Sequence, residues 1–378
     1  MKILHTSDWH LGAMDGDRSL IDDQKYFIDA ICDIVTEKSV EAVIIAGDVY
    51  DRSVASAEAI RLYDYAMTRL CAKLKVTVIV IAGNHDSAER LSSCRELLSF
   101  AGLHITGSLE REIAKVSLED TDIYMIPWIT EEKVKSVFPE EKEHINSLED
   151  AYNTVTKHIL ASADKKKRNI AAAHAFITDS ETSTSDRAAE IGFAANVSAG
   201  VFDGFDYVAL GHIHKPQNVA EKIRYSGTPM PYSFGKEETQ EKSVTLIDTA
   251  DMSEETVPLP LLHRRTTLSG TLEELLAPQC AEDVREGYVR LQVTDQYVGL
   301  EAFSELKRTY PNVLEVTGKT FDRENSSVTL TVEELEKLET NPVEVFRHFC
   351  KEEMNEEADS RITELFKNAI KVTEEAGK

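Results

Sequence analysis

Five continuous apolar runs punctuate the first 214 residues, and each stops on a side chain that binds metals. Ile3-Leu4 leads through His5-Thr6-Ser7 to Asp8-Trp9-His10, and Ala42–Ala46 leads to Gly47-Asp48-Val49-Tyr50-Asp51. Val76–Ala82 runs into Gly83-Asn84-His85-Asp86, Ile170–Ala173 into His174, and Tyr207–Gly211 into His212-Ile213-His214. Runs of this length without alternation predict strands buried on both faces. Between them the apolar spacing changes to that of helices. Phe27, Ile31, Ile34 and Val35 share a face over 22–38, and Ile60, Tyr63, Met67, Leu70 and Leu74 share one over 55–74. Leu91, Cys94 and Leu98 predict a shorter helix over 89–100, and Leu148, Ala151, Val155 and Ile159 predict another. Strand and helix thus alternate in an α/β architecture, with helices available to cover a strand layer.

Val244–Asp248 predicts a closing strand, after which Pro258 and Pro260 place a boundary near residue 260. Tyr288–Val293 alternates as a half-exposed strand; Leu300, Phe303, Leu306 and Tyr310 share a helical face, and Val313–Val316 returns as a strand. This is a small α+β unit. The last forty residues carry two helical stripes, Val343, Phe346, Phe349, Cys350 and Met354, then Ile362, Leu365, Phe366, Ala369 and Ile370. Three segments are expected: 1–260, 261–338 and 339–378.

In α/β sheets ligands gather at the carboxyl ends of strands, so the five strand ends predict one pocket lined by Asp, Asn and His. Such a donor set, with imidazole and no thiolate, suits Mn²⁺, Mg²⁺, Fe or Zn²⁺. Two metals about 3.5–4 Å apart can activate hydroxide and hold both oxygens of a phosphoryl displacement. One carboxylate must bridge them, and Asp48, after the Gly47 turn, is placed to do so. Two divalent ions against Asp8, Asp48 and one hydroxide leave the site net positive, fit to receive a phosphodiester.

Each motif alone has a plainer reading. Asp-x-His after a strand is commonly a turn or cap, Gly-Asn-His-Asp a left-handed turn, and a single His174 a hydrogen-bonded core histidine. Gly-His-x-His is more specific, because period two puts both imidazoles on one face. All five in this order are not explained by turns.

The series Asp8-x-His10, Gly47-Asp48-x-x-Asp51, Gly83-Asn84-His85-Asp86, His174 and Gly211-His212-x-His214 resembles the calcineurin-like metallophosphoesterase superfamily. The stretches His5–Gly12, Phe205–Gln217 and Tyr225–Phe234 narrow the resemblance to SbcD-type nuclease subunits, over residues 1 to about 248. The resemblance implies a four-layer αββα sandwich, a C-terminal α+β capping domain and a helical tail. It implies one metal held by Asp8, His10, Asp48 and His214, and a second by Asp48, Asn84, His174 and His212, with Mn²⁺ as the expected ion. His85 would face the phosphate as general acid. Asp51 follows the bacterial pattern and is expected to orient His85 or a metal-bound water. The implied partners are DNA, a second copy of the chain and an SbcC-like SMC ATPase docked on 339–378, in a heterotetramer. The implied activity is ATP-dependent double-strand exonuclease and single-strand or hairpin endonuclease action in DNA repair, recombination and replication.

Composition qualifies this picture. The chain has 378 residues, and 42 Lys and Arg against 67 Asp and Glu give a net charge of −25. That charge repels DNA at long range, which favours a partner that supplies most of the grip on the duplex. Much of the acidity lies in 131–149 and 333–375, read as solvated segments. Lys165-Lys166-Lys167-Arg168 reads as a solvated turn, and the polar stretch Thr178–Gly200 as a surface loop able to reach substrate. The five cysteines (Cys32, Cys71, Cys94, Cys280, Cys350) form no C-x-x-C pair, consistent with a reduced, cytoplasmic protein. The chain enters its first strand directly, so no signal peptide is expected. It has no apolar run of membrane-spanning length and no P-loop, so ATP would be hydrolysed by a partner. The alternatives are a phosphatase or small-molecule phosphodiesterase, and a non-enzymatic scaffold. Asp51-Arg52-Ser53, where phosphatases carry Asp-Arg-Gly, argues against the first; the complete ligand set argues against the second.

Overall fold

The computed structural model describes residues 1–318 except 179, 187–196, 278–279 and 296–297, together with 328–331, 363–364 and 367. Contacts divide the chain into two compact units, with the break between Arg265 and Thr266.

The first unit holds the ligand strands, and they belong to two sheets. One sheet runs Ser253–Pro258, Ser243–Asp248, Lys2–Thr6, Ala42–Ala46, Thr77–Ile81, Leu103–Thr106. Its last four strands are parallel, while Ser243–Asp248 pairs antiparallel with Lys2–Thr6. The other runs Gln217–Ala220, Ile223–Tyr225, Tyr207–Gly211, Arg168–His174, Thr121–Ile126, Lys115–Leu118. Ile3, Ala42, Ile44, Ala46, Ile79 and Ile81 of the first sheet pack against Ile123, Met125, Ile170, Ala172 and Ala209 of the second. In the five strands that lead to the candidate ligands, the intervening residues, among them Leu4, Val43, Val80, Ala171 and Val208, are buried as well, on the outer faces. This is why the runs read as unbroken apolar stretches: each of these five strands has a sheet on one side and a helix layer on the other. Helices Ile21–Lys38 and Ala57–Met67 belong to one outer layer. Glu131–Val137 and Leu148–Ser162 belong to the other, where Val134, Ala151, Tyr152, Val155 and Ile159 meet Ala171, Ala173, Val208 and Leu210. The architecture is the four-layer αββα sandwich.

Three details differ from the sequence pattern. The 55–74 helix ends as α-helix at Met67 and continues as a wider π-turn over Thr68–Lys73, which still buries Leu70 and Cys71. The 89–100 helix is two pieces, Ala88–Leu91 and Arg95–Ser99, because Cys94 adopts φ 58° between them. The acidic stretch after residue 130 is not merely solvated. Thr130 caps Glu131–Val137 by accepting from the amide of Lys133, and Val134, Phe138 and Ile145 are buried. Pro258 ends an edge strand paired with Ser243, a position where its missing N–H costs no ladder bond.

The second unit contains a four-stranded sheet ordered Arg265–Gly270, Tyr288–Val293, Val313–Gly318, Val328–Thr331. Helix Leu300–Thr309 packs Phe303 and Leu306 onto Val289, Leu291, Val313 and Val316. The crossover from Tyr288–Val293 through this helix to the parallel Val313–Gly318 makes the unit α+β. The two stripes expected after residue 339 lie outside the described residues. No helix among the described residues is long and apolar enough to cross a membrane.

Candidate metal centre

The site is built at the carboxyl ends of the two sheets' central strands, where each backbone makes a sharp turn. Asp8 (φ 53°), His10 (φ 43°), Asp48 (φ 49°) and His212 (φ 106°) all hold positive φ without being glycine. Such residues cost about 1–3 kcal/mol each and persist where the surroundings over-determine them. Here cross-links between strand ends do so. The amide of Asp8 donates to Gly47 O and that of His10 to Asp48 O, both at 3.0 Å. The amide of His212 donates to Asp8 Oδ1 at 2.9 Å, joining one sheet to the other.

Gly211 permits that junction. A Cβ there would lie 1.9 Å from the carbonyl oxygen of Ala46, the atom that also accepts from His174 Nδ1 at 2.8 Å. Gly211→Ala is therefore expected to lower the unfolding free energy by about 1–3 kcal/mol, read as a lower urea midpoint in EDTA. Metal affinity should fall with it, because His174 loses its anchor. An unchanged midpoint would mean that the sheets separate freely at this point.

All nine sequence-predicted residues arrive in one place. The ligand atoms of Asp8, His10 and His214 lie within 4.8 Å of one another, and so do those of Asp8, Asp48 and His174. Asp48 Oδ2 sits 3.5 Å from His174 Nε2, 3.8 Å from His10 Nε2 and 3.9 Å from His85 Nε2. Asn84 Oδ1 lies 2.9 Å from His174 Nε2 and 3.1 Å from His212 Nδ1. His10 Nε2 and His214 Nε2 face each other at 3.1 Å. A third trio, His10, Asp51 and His85, is equally close. The contact between Asp51 and His85 is made by the main chain: the Asp51 carbonyl accepts from His85 Nδ1 at 2.8 Å. The Asp51 carboxylate points instead toward His10 Nδ1, 3.9 Å away. His10, Asp48, Asp51, His85, His212 and His214 border a pocket of about 280 Å³ that Tyr232, Ser185, Asp186 and Met14 also line.

Burial dominates the electrostatics. It raises the Asp8 carboxyl to about 8, helped by the Asp48 charge and opposed by His174. Burial also acts to raise Asp48, but His174, His10 and His85 outweigh it and hold the carboxyl well below the usual range. Burial lowers His10 to about 4, His212 to about 3 and His214 well below its ordinary value. His174 goes the other way, to about 9: burial opposes its charge, but Asp48 and Asp8 overcome it. The buried Asp48 carboxylate thus holds one cationic imidazole, while burial favours the neutral form of Asp8 and of the three other imidazoles.

Several supporting residues were given no individual role by the sequence, although Ser7 and Asp86 stand within its motifs. Ser7 Oγ donates to Asp8 Oδ2 at 2.5 Å. Asp86 accepts from the amides of Val49, Tyr50 and Gly83 at 2.9–3.1 Å, clamping two ligand loops together. The Trp128 ring stacks on His212, centroids 5.3 Å apart and planes at 27°. Ser185 and Asp186, from the polar loop after His174, reach His214. Glu237 stands behind Ser185, and Lys242 pairs with it at 3.2 Å, both side chains fully buried. Burial opposes the Glu237 charge, but Lys242 and the surrounding donors keep its carboxyl below its ordinary value.

The donor set fits a divalent cation. His10 Nδ1 is buried without a hydrogen-bond partner while Nε2 faces another imidazole nitrogen. Two histidines converge on one amide oxygen, and every donor is N or O, without thiolate.

The calcineurin-like phosphoesterase family model matches residues 1–216, ending two residues after His214. The SbcD C-terminal family model, described as the type 5 capsule protein repressor C-terminal domain, matches residues 262–354. Solved structures align at low identity. The protein TT1561 of Thermus thermophilus aligns at 12% identity and a TM-score of 0.39, over 68% of this chain and 99% of its own. GAP50, the anchor in the inner membrane complex of Plasmodium, aligns at 11% and 0.40, over 69% and 89%. A dimetal phosphatase from Danio rerio aligns at 14% and 0.40, over 69% and 99%.

Proposed function

We propose that this chain, which belongs to the calcineurin-like phosphoesterase family, is the nuclease subunit of an SbcCD-type complex and hydrolyses DNA phosphodiesters with two divalent ions. The family and the donor clusters make it a metal-dependent hydrolase. The observation that carries the finer reading is the pairing, in one chain, of that catalytic domain with an SbcD-type C-terminal match over 262–354.

In this reading Asp8, His10, Asp48 and His214 hold one ion and Asp48, Asn84, His174 and His212 the other, with Mn²⁺ the ion of choice. Bound there, the ions would supply a nucleophile from water and offset charge developing on the phosphate. The chain's own residues do the rest. The Ala46 carbonyl can only accept, so His174 Nδ1 carries the hydrogen and Nε2 is left as the donor atom. The Asp51 carbonyl fixes His85 likewise, so that Nε2 is the nitrogen that takes up and releases a proton in the pocket. Protonated there, His85 gives its proton to the departing 3′ oxygen. Asp51 acts through its main chain on His85 and through its carboxylate on His10. Residues 1–260 form the nuclease segment, 261–338 a cap that orients DNA, and 339–378 the docking segment for an SbcC-like SMC ATPase. Two copies of each chain would make the complex in the cytoplasm, and the partner would offset the net charge of −25 by gripping the duplex.

The test is cleavage of end-labelled single-stranded and hairpin DNA by the purified chain with Mn²⁺, Mg²⁺ or EDTA. Cutting is expected with Mn²⁺ and none with EDTA. Intact DNA alongside hydrolysis of p-nitrophenyl phosphate would overturn the nuclease reading in favour of a phosphatase.

A further inference from the structure

Beside His214 runs a chain of polar groups, from the half-buried Ser185 to the fully buried Glu237 and Lys242, that the reaction itself does not use. Four donors converge on the Glu237 carboxylate: Ser185 Oγ, Ser233 Oγ at 2.8 Å, the Tyr232 amide at 2.9 Å and Lys242 Nζ at 3.2 Å. A carboxylate only accepts, so the single hydroxyl hydrogen of Ser185 points to Glu237. The same Ser185 oxygen lies 2.5 Å from His214 Nδ1, with only lone pairs left on that side. His214 Nδ1 must therefore carry the ring hydrogen. Nε2 is the bare nitrogen, and it is the one that faces His10 in the donor cluster. The backbone of His214 is held by the same network. Its amide donates to Asp186 Oδ1 at 3.1 Å, and its carbonyl accepts from Lys242 Nζ at 3.4 Å. Asp186 is itself fixed by the Ser183 amide.

We propose that Lys242, Glu237 and Ser185 form a relay that positions His214, fixing its tautomer and ring orientation so that Nε2 is presented to a divalent cation. Ser185 is a positioning residue in this scheme, and it ties the polar loop after His174 to the metal centre. The buried Lys242–Glu237 pair serves as the rigid end of the relay; its ends are charged so that the carboxylate remains a pure acceptor. Such outer hydrogen bonds to a ligating histidine typically contribute 10–100-fold in metal affinity. The inference rests on the assignment of His214 as a ligand made above.

The test is a titration of the metal-free 378-residue chain with Mn²⁺, with free Mn²⁺ read by electron paramagnetic resonance. Wild type is compared with His214→Ala, Ser185→Ala and the near-isosteric pair Ser185→Thr and Ser185→Val. His214→Ala should weaken one class of Mn²⁺ site. Ser185→Ala and Ser185→Val should weaken the same class by about 10–100-fold, while Ser185→Thr, which keeps the hydroxyl, binds near wild type. Weakening in His214→Ala with wild-type affinity in Ser185→Ala and Ser185→Val would overturn the relay and leave the ligand assignment standing. Wild-type affinity in His214→Ala would remove the ligand assignment itself, and the relay with it. If Ser185→Ala fails to fold, the Thr and Val pair decides: equal affinities overturn the proposal.

Discussion

Asp48→Asn should abolish Mn²⁺-dependent hydrolysis and empty both metal positions while leaving the fold intact. Asp48 stands among three imidazoles: His174, His10 and His85 each place Nε2 within 3.5–3.9 Å of its Oδ2. Its other oxygen accepts from the His85 amide at 2.9 Å, a bond that the asparagine Oδ1 can reproduce. The substitution therefore removes charge with little change of shape. A bridging carboxylate is lost to both ions at once. Because Asp48 is also the partner of the buried His174 cation, its loss costs up to about 3–5 kcal/mol of stability in the metal-free chain, so the chain should fold with a lowered midpoint. The checks are bound Mn²⁺ per chain after dialysis, the rate on single-stranded DNA, and the urea midpoint in EDTA. Retention of one tightly bound ion would show that Asp48 serves a single site. Asp8, which belongs to two of the three close donor groups, would then be the bridging candidate.

The convergence of the candidate donors was legible in the sequence because each sits at or just after a strand end, and local motifs fix local turns. The nine named residues needed no long-range inference beyond the rule that ligands gather at strand ends. The two-sheet arrangement was not legible from the same runs. Ile44 and Ile170 are buried whether their strands share a sheet or face each other across a core, and periodicity alone does not separate the cases. The resemblance, not the pattern, implied the sandwich. Helix breaks were missed for a related reason: Leu91, Cys94 and Leu98 keep helical spacing although Cys94 leaves the helix at φ 58°. The support around His214 was invisible because Ser185 lies 29 residues from it and 52 from Glu237, among many similar polar residues. Only the packed structure distinguishes a hydroxyl against an imidazole from one in water.

His85→Ala should produce the opposite signature from Asp48→Asn: metals retained, turnover lost. His85 is close enough to His10 and Asp51 to form a donor trio, so its position alone does not separate a ligand from an acid. The hydrogen-bond geometry favours the acid. Nδ1 is committed to the Asp51 carbonyl, and Nε2 lines the open pocket 3.9 Å from the Asp48 carboxylate. Loss of a general acid typically lowers the rate 10²–10⁴-fold, and the expected fall on DNA lies in that range with bound Mn²⁺ per chain unchanged. The leaving group supplies the decisive comparison. A 3′ alkoxide needs a proton to depart, whereas p-nitrophenolate is stable as an anion near neutral pH. On bis-p-nitrophenyl phosphate, then, His85→Ala should lose far less than on DNA. An equal loss on both substrates would place His85 in charge stabilisation of the phosphate. A loss accompanied by departure of one Mn²⁺ would make it a ligand.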